Sequence, residues 1–284
     1  MSDKGEIVAQ LRAVGEVADA ELNLAETALL LAALDRPDAS LTGYRAHLAA
    51  LTEDTAALAR GQDTPGGRAA ALATVLFDRH GYSGDAETYD DMQNANLIRV
   101  IDRRKGLPVA LGILLLHAAR TQGWRMQGLN FPGHFLLRLE HAGERLVLDP
   151  FRRARQLDAG DLRQLLKQMT GTEAELSPEH FRPVGNRDIL LRLQNNITSR
   201  ALQSGDNERA MDRDMMTAMA EMLDAAGCKD IRTHGSNNPP GHCIHEMGGA
   251  RMSRTPTDGV LNKWNQAWDV KNLFITDGAC MASS

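Results

Sequence analysis

Apolar positions recur at helical spacing through the first third of the chain. Ala20, Leu22, Leu24, Ala28, Leu31 and Leu34 form one broad apolar face that stops before Pro37. A second helix is predicted from Leu41 to about Arg60, and Pro65-Gly66-Gly67 predicts a loop ahead of a third. The acidic, polar stretch from Gly84 to Gln93 reads as a surface loop before a helix from about Asn94 to Arg104. Gly106-Leu107-Pro108 then interrupts the chain. Proline suits the first turn of a helix, where its missing N–H removes no bond, so a helix is predicted from Pro108 to about Gln122. It is apolar nearly all round, as a buried central helix should be.

From Met126 the period shortens. Gln127–Asn130, His134–Leu139 and Arg145–Leu148 are predicted strands, separated by Pro132-Gly133 and Ala142-Gly143-Glu144. Helices return at about Ala159–Met169 and Asp188–Gln203. A further helix, roughly Glu208–Ala226, becomes Met-rich from Met211, with Met215, Met216, Met219 and Met222 at a spacing that reads as core filling. Beyond Gly227 the chain is rich in Gly, Pro, Asn and Ser, and its one predicted strand is Asn272–Thr276.

Composition narrows the class. Few aromatics and abundant alanine and leucine favour helices over an all-β architecture, and with the short strands the expected fold class is α+β. A net charge of -5 without a dense basic patch argues against a nucleic-acid partner. Arg103-Arg104-Lys105 and Arg152-Arg153 read as solvated charges. The opening Met-Ser-Asp-Lys-Gly-Glu has no basic stretch leading into an apolar core, and the longest apolar run, Val109–Leu116, is too short to span a bilayer. A cytoplasmic protein without a membrane partner is expected. All 3 cysteines, Cys228, Cys243 and Cys280, fall in the tail, so no disulfide framework is expected in the body of the chain.

Chemistry concentrates in the middle. A buried helix followed by short strands, with His134 opening one strand and Asp149 closing the next, suits acyl transfer. The histidine is a general base, the aspartate fixes its orientation, and a cysteine at the helix start would be the nucleophile, its thiolate favoured by the positive end of the helix. The motifs are Asp91 and Asn94, Arg-Lys-Gly-Leu-Pro-Val-Ala-Leu at 104–111, Gly-Leu-Asn-Phe-Pro-Gly-His-Phe-Leu-Leu-Arg at 128–138, and Leu-Asp-Pro-Phe at 148–151. On these, about residues 20–210 resemble the bacterial transglutaminase-like family of the Sir-B invasion-regulator type, in which tetratricopeptide-like helices usually follow. The resemblance implies a papain-like core with a small antiparallel sheet, and carries the base and orienting acid onto His134 and Asp149. In that family the cysteine stands about fifteen residues before the glycine that ends the helix, with an arginine three before that glycine. Gly123 and Arg120 fit those positions and place Pro108 where the nucleophile should be. A degenerate triad is therefore expected, in a protein that binds or regulates a protein or peptide partner and is not active as an isolated chain. His134 as a structural histidine and a cysteine-type amidase or transamidase using a tail thiol are the alternatives at this site. His117, on the apolar helix, reads as a satisfied core histidine.

The tail carries a second resemblance. Gly241–Met252 and Leu273–Ser284 resemble the C-terminal part of glucose–methanol–choline (GMC) flavin oxidoreductases, over about residues 211–284. That resemblance implies that His245 corresponds to the base that takes a hydroxyl proton, and that Asp277 and Gly278 lie in the turn that meets FAD. It gives the alternative function, oxidation of CH–OH groups. No Gly-x-Gly-x-x-Gly follows a strand, so no cofactor is expected unless the missing flavin-binding half is supplied elsewhere. His234, His242 and Cys243 beside His245 match no standard zinc spacing, so no metal is expected. The expected organisation is a helical section at 1–80, a transglutaminase-like core at 81–170, a helical extension at 171–210 and the GMC-like fragment at 211–284, poorly packed beyond its first helix.

Overall fold

A computed structural model describes residues 4–36, 38–171, 174–203, 216–217 and 250–276. The chain divides into two compact units, 1–211 and 212–284. The architecture is α+β.

Helices α1 (Lys4–Gly15), α2 (Leu24–Leu34), α3 (Leu41–Ala59) and α4 (Pro65–Ala73) open the first unit. Local capping sets their starts. The Asn23 side chain accepts from the Glu26 N–H, so α2 begins at Leu24 and the expected apolar face at Ala20 and Leu22 falls in and just after a single 3-10 turn, Asp19–Glu21. Thr64 likewise accepts from the Gly67 N–H with Pro65 at the first helical position, so Pro65-Gly66-Gly67 is the first turn of α4 and not a loop.

A two-residue strand β1 (Ser83–Gly84) pairs in parallel with β2 (Lys105–Gly106), on either side of a 3-10 turn (Met92–Ala95) and α5 (Leu97–Arg103). The helix expected from about Asn94 is thus split, because Asn96 leaves helical geometry and caps Arg99. Next comes α6 (Pro108–Thr121), in which every residue from Pro108 to Leu116 is buried. It packs against α2, α3 and α4, which explains a sequence apolar on all sides.

Strands β3 (Arg125–Leu129), β4 (Leu136–His141), β5 (Glu144–Asp149) and β6 (Arg155–Leu157) form an antiparallel sheet in that order. Three of these were expected, and β6 is additional. The second strand starts at Leu136, two residues later than expected, because Pro132 and Gly133 (φ 68°) keep the chain irregular up to His134. Helices α7 (Ala159–Thr170), opened by a reciprocal Asp158/Asp161 capping box, and α8 (Asn186–Gln203) complete the unit.

Phe135 locks sheet to helix. A Cβ at Gly112 of α6 would lie 2.5 Å from its ring, and one at Gly128 of β3 would lie 2.9 Å away. Only glycine at both positions lets helix and strand close on that ring from two sides.

In the second unit, residues 250–276 are tied by bridges between Met252 and Leu261, Leu261 and Ala267, and Gln266 and Phe274. The predicted strand Asn272–Thr276 is reduced to that last bridge. Leu261 and Ala267 are buried, while Trp264 is 70% and Phe274 55% exposed. The Met-rich helix lies outside the described residues, save Met216 and Thr217. Among the described residues no helix is long and apolar enough to cross a membrane.

Candidate functional site around His134 and Asp149

The structure brings His134 and Asp149 together. Nε2 of the imidazole lies 2.9 Å from Asp149 Oδ1, and both side chains are buried. Oδ1 also accepts the Phe151 N–H at 2.9 Å, which ties the carboxylate to the bend after β5. The Phe151 ring stands edge-on to the imidazole, centroids 6.4 Å apart. Asp149 Oδ2 is buried without a hydrogen bond, and the nearest cation is Arg152 Nε at 3.8 Å.

In the tautomer whose Nε2–H donates to the carboxylate, Nδ1 is the acceptor nitrogen of the ring. Among the described residues nothing hydrogen-bonds Nδ1. The pair therefore offers one oriented acceptor, suited to an N–H or O–H of a bound molecule.

Pro108 sits at the first position of α6, buried, with Leu107 as a non-bonding N-cap. Positions four apart share a helix face, and Gly112, one turn on, meets both Phe135 and Pro150. Those are the residues that follow His134 and Asp149, so position 108 belongs to the face of α6 turned toward the pair. Its ring carries no thiol.

The scaffold beside the pair was not visible in the pattern of the sequence. Asp85, 1% exposed, accepts from the Thr88 N–H (3.0 Å) and hydroxyl (2.6 Å) and pairs with Arg103 Nη2 at 3.0 Å. Arg103 Nη1 donates to Asn94 Oδ1 at 3.0 Å, and Asn94 Nδ2 donates to the Thr88 carbonyl at 2.6 Å. Burial alone would raise the Asp85 carboxyl, but the Thr88, Asn94 and Arg103 hydrogen bonds outweigh it and bring it down to about 2. Gly84, next in the chain, faces Phe151, where a Cβ would lie 2.6 Å from the ring. The loop expected at Gly84–Gln93 is thus pinned to the wall of the site.

The expectation of solvated charge changes at Arg103 and Arg104. Arg103 is a buried-network partner and not a solvated helix end. Arg104, in the left-handed region (φ 57°), donates to the Tyr82 hydroxyl and to His47 Nε2, both at 2.6 Å. Burial and the neighbouring Arg104 and His80 charges lower His47 to about 4, and burial pushes the Tyr82 phenol up. Arg152 and Arg153 are exposed, as expected, and lie within ion-pair distance of Asp149 and Asp78. His117 Nε2 meets the Leu48 carbonyl and the Thr52 hydroxyl, each at 3.2 Å, and burial lowers its pKa.

His245, Asp277 and Gly278, with all three cysteines, lie outside the described residues. Among the described residues no group of three or more His, Cys, Asp or Glu side chains is arranged to hold a metal ion.

Comparison with known proteins follows the same division. A family model described as transglutaminase-like superfamily matches residues 42–195, and one described as GMC oxidoreductase matches 191–284. A "UPF0162 protein" of Xylella fastidiosa (strain Temecula1 / ATCC 700964) is 34% identical over 186 residues, covering 64% of this chain and 66% of its own length. Another, from Vibrio cholerae serotype O1, is 35% identical over 173 residues, 60% of this chain and 63% of its own. The chain thus spans just under two thirds of the curated relatives it matches. A 2-methyl-1,2-propanediol dehydrogenase of Mycolicibacterium austroafricanum is 37% identical over 78 residues, 28% of this chain and 14% of that one. No solved structure matches.

Proposed function

We propose that this chain, which belongs to the transglutaminase-like superfamily, is a non-catalytic member that binds a protein or peptide at His134 and Asp149. The observation that carries the reading is Pro108. It stands at the first position of α6, the helix whose face meets the residues after His134 and Asp149. An imino acid has no group to attack a carbonyl, so the base and its orienting carboxylate have no nucleophile to activate. What remains is recognition: Nδ1 accepts a hydrogen bond, and the buried Asp149 keeps the ring turned toward it. An amide N–H of a peptide supplies the matching donor.

The GMC-like tail does not make the isolated chain a flavin enzyme on this reading. The cofactor carries hydride chemistry, and no Gly-x-Gly-x-x-Gly after a strand is present to seat its pyrophosphate. FAD would belong only to an assembly in which another chain brings that half.

The test is direct. Purified protein is assayed against p-nitrophenyl acetate and glutamine γ-p-nitroanilide beside His134→Ala, and Pro108→Cys is assayed in parallel. No turnover above buffer is expected for wild type, with iodoacetamide-sensitive ester cleavage gained only by Pro108→Cys. Wild-type turnover that His134→Ala abolishes would overturn the reading. Peptide amides should also shift the ring resonances of His134, and a spectrum unmoved by them argues for a purely structural histidine.

A further inference from the structure

A cavity of about 800 Å³ does not include His134 or Asp149 in its lining. It is formed by the turn before α2, the end of α6, the start of β3 and the segment entering α8. Its volume is that of a small-molecule pocket. Leu24, Trp124, Met126 and Val184 supply apolar wall, and Arg120 supplies a half-buried cation placed to meet a ligand.

Arg120 is held in a fixed pose. Its Nε donates to the Met126 carbonyl at 3.2 Å and its Nη1 to Asn186 Oδ1 at 2.8 Å. Asn186 cannot turn away, because its own amide nitrogen donates to the Asp19 and Leu22 carbonyls at 2.7 and 3.3 Å. Nη2 has no protein partner among the described residues, and no carboxylate forms an ion pair with Arg120. Burial lowers the pKa of its guanidinium, partly offset by the Asp19 charge.

The other charged groups facing the cavity are occupied. Asp19 accepts the Asn186 and Arg187 N–H groups at 2.9 and 2.8 Å, capping α8 from far along the chain. Arg125, 70% exposed, pairs with Glu140 at 3.0 Å. His117 is bonded to the Leu48 carbonyl and its pKa is lowered by burial, so it adds no competing charge. A pre-oriented planar cation in ion-pair contact with no carboxylate, while Asp19 is engaged in capping α8, matches a carboxylate better than any neutral group.

We propose that the cavity at Arg120 is a second binding site, separate from His134, for a carboxylate that carries an apolar body. The carboxylate meets Nη2 of Arg120, and the apolar part lies against Trp124 and Val184. A free organic acid and the C-terminal carboxylate of a peptide share that chemistry.

The full chain is titrated by calorimetry with 4-phenylbutyrate and its amide, and with acetyl-Ala-Phe acid and its amide. Saturable binding of the acids is expected, with the amides at least about tenfold weaker. Tighter binding of the dipeptide acid identifies a peptide terminus, and tighter binding of phenylbutyrate a free acid. Arg120→Gln should lower acid affinity to that of the amide, whereas Arg120→Lys should retain part of it. Thr121→Trp keeps Arg120 and fills the cavity from its exposed rim, because Thr121 is exposed and bonds only to carbonyls of its own helix and the neighbouring Gln122 side chain. It should abolish binding without changing the melting temperature, and His134→Ala should leave binding intact. Equal affinity for acid and amide, wild-type binding in Thr121→Trp, or no saturable binding of either acid overturns the proposal.

Discussion

Replacing Asp85 by asparagine tests whether the buried network is held by charge. The carboxyl is 1% exposed, so solvent screening is minor, and its folded pKa is about 2. Against an ordinary value of about 3.9 in the unfolded chain, the difference is nearly two units, or about 2 to 3 kcal/mol of stability at neutral pH. The folded pKa is the depressed one, so this stabilisation is fully present well above pH 3.9 and is lost as pH falls toward 2. Roughly 1 kcal/mol of it is gone by pH 3, where the unfolded chain has taken up the proton and the folded protein has not. Asparagine keeps one acceptor but turns an NH2 toward donors of Thr88 or Arg103. Asp85→Asn should therefore be less stable than wild type at pH 6 by about 2 kcal/mol or more. Urea unfolding of both proteins at several pH values between 6 and 3 measures the difference. The gap should narrow by about 1 kcal/mol over that range. A gap constant across the range would show that Asp85 is not held as a carboxylate, and the account of the network would fail.

Other perturbations have equally definite outcomes. Gly112→Ala drives a methyl to 2.5 Å from the Phe135 ring and should cost about 1 to 3 kcal/mol, read as a fall in melting temperature, whereas Gly43→Ala, with open space around it, should not. His134→Ala leaves a buried Asp149 without its main partner and should cost about 3 kcal/mol in urea unfolding. Asp149→Asn in the same chain should recover part of that loss, and additive costs would mean the two residues are not coupled. His47 has its folded value lowered to about 4, so the stability tied to its neutral form is complete above about pH 6.5 and declines as pH falls toward 4. His47→Gln should flatten that part of the profile, and an unchanged slope counts against the Arg104–His47 contact. Truncation after residue 211, where the chain divides into compact units, should leave a first unit that unfolds cooperatively, as near-ultraviolet circular dichroism would show.

What could be read from sequence was what depends on neighbours along the chain. Helix α6 was legible because an apolar run opening at Pro108 has one natural reading. The pairing of His134 with Asp149 was legible because one hairpin returns the chain over a separation of 15 residues. Features assembled from distant segments were not legible. Asp19 caps α8 across 167 residues, and no local pattern marks an aspartate for that task. Asp85 and Arg103 looked like loop and helix-end polarity, and Asn94 stood out as a motif residue without a partner, since the two-residue pairing of β1 with β2 that folds them together is too short to leave a strand period. Gly112 and Gly128 announced themselves only as small residues inside a helix and a strand. Their meaning is the volume of the Phe135 ring between them.

The two buried aspartates on either side of Phe151 separate scaffold from site. Both oxygens of Asp85 are met by donors from Thr88 and Arg103, so its energy is already realised in the folded chain. Asp149 is met on one oxygen only, and the other is buried 3.8 Å from the exposed Arg152. An acceptor left in that state costs about 1 to 3 kcal/mol, and the acceptor Nδ1 of His134 also goes without a donor among the described residues. These two unmet acceptors lie side by side, against the face of α6 that begins with Pro108. Phe151 joins the two aspartates mechanically, one side of its ring over Gly84 and its edge toward His134. Loosening the Asp85 network should therefore move the imidazole before it unfolds the protein. That displacement appears as a changed His134 ring signal in Asp85→Asn at pH 6. An unchanged signal would show that Phe151 is held by the sheet alone.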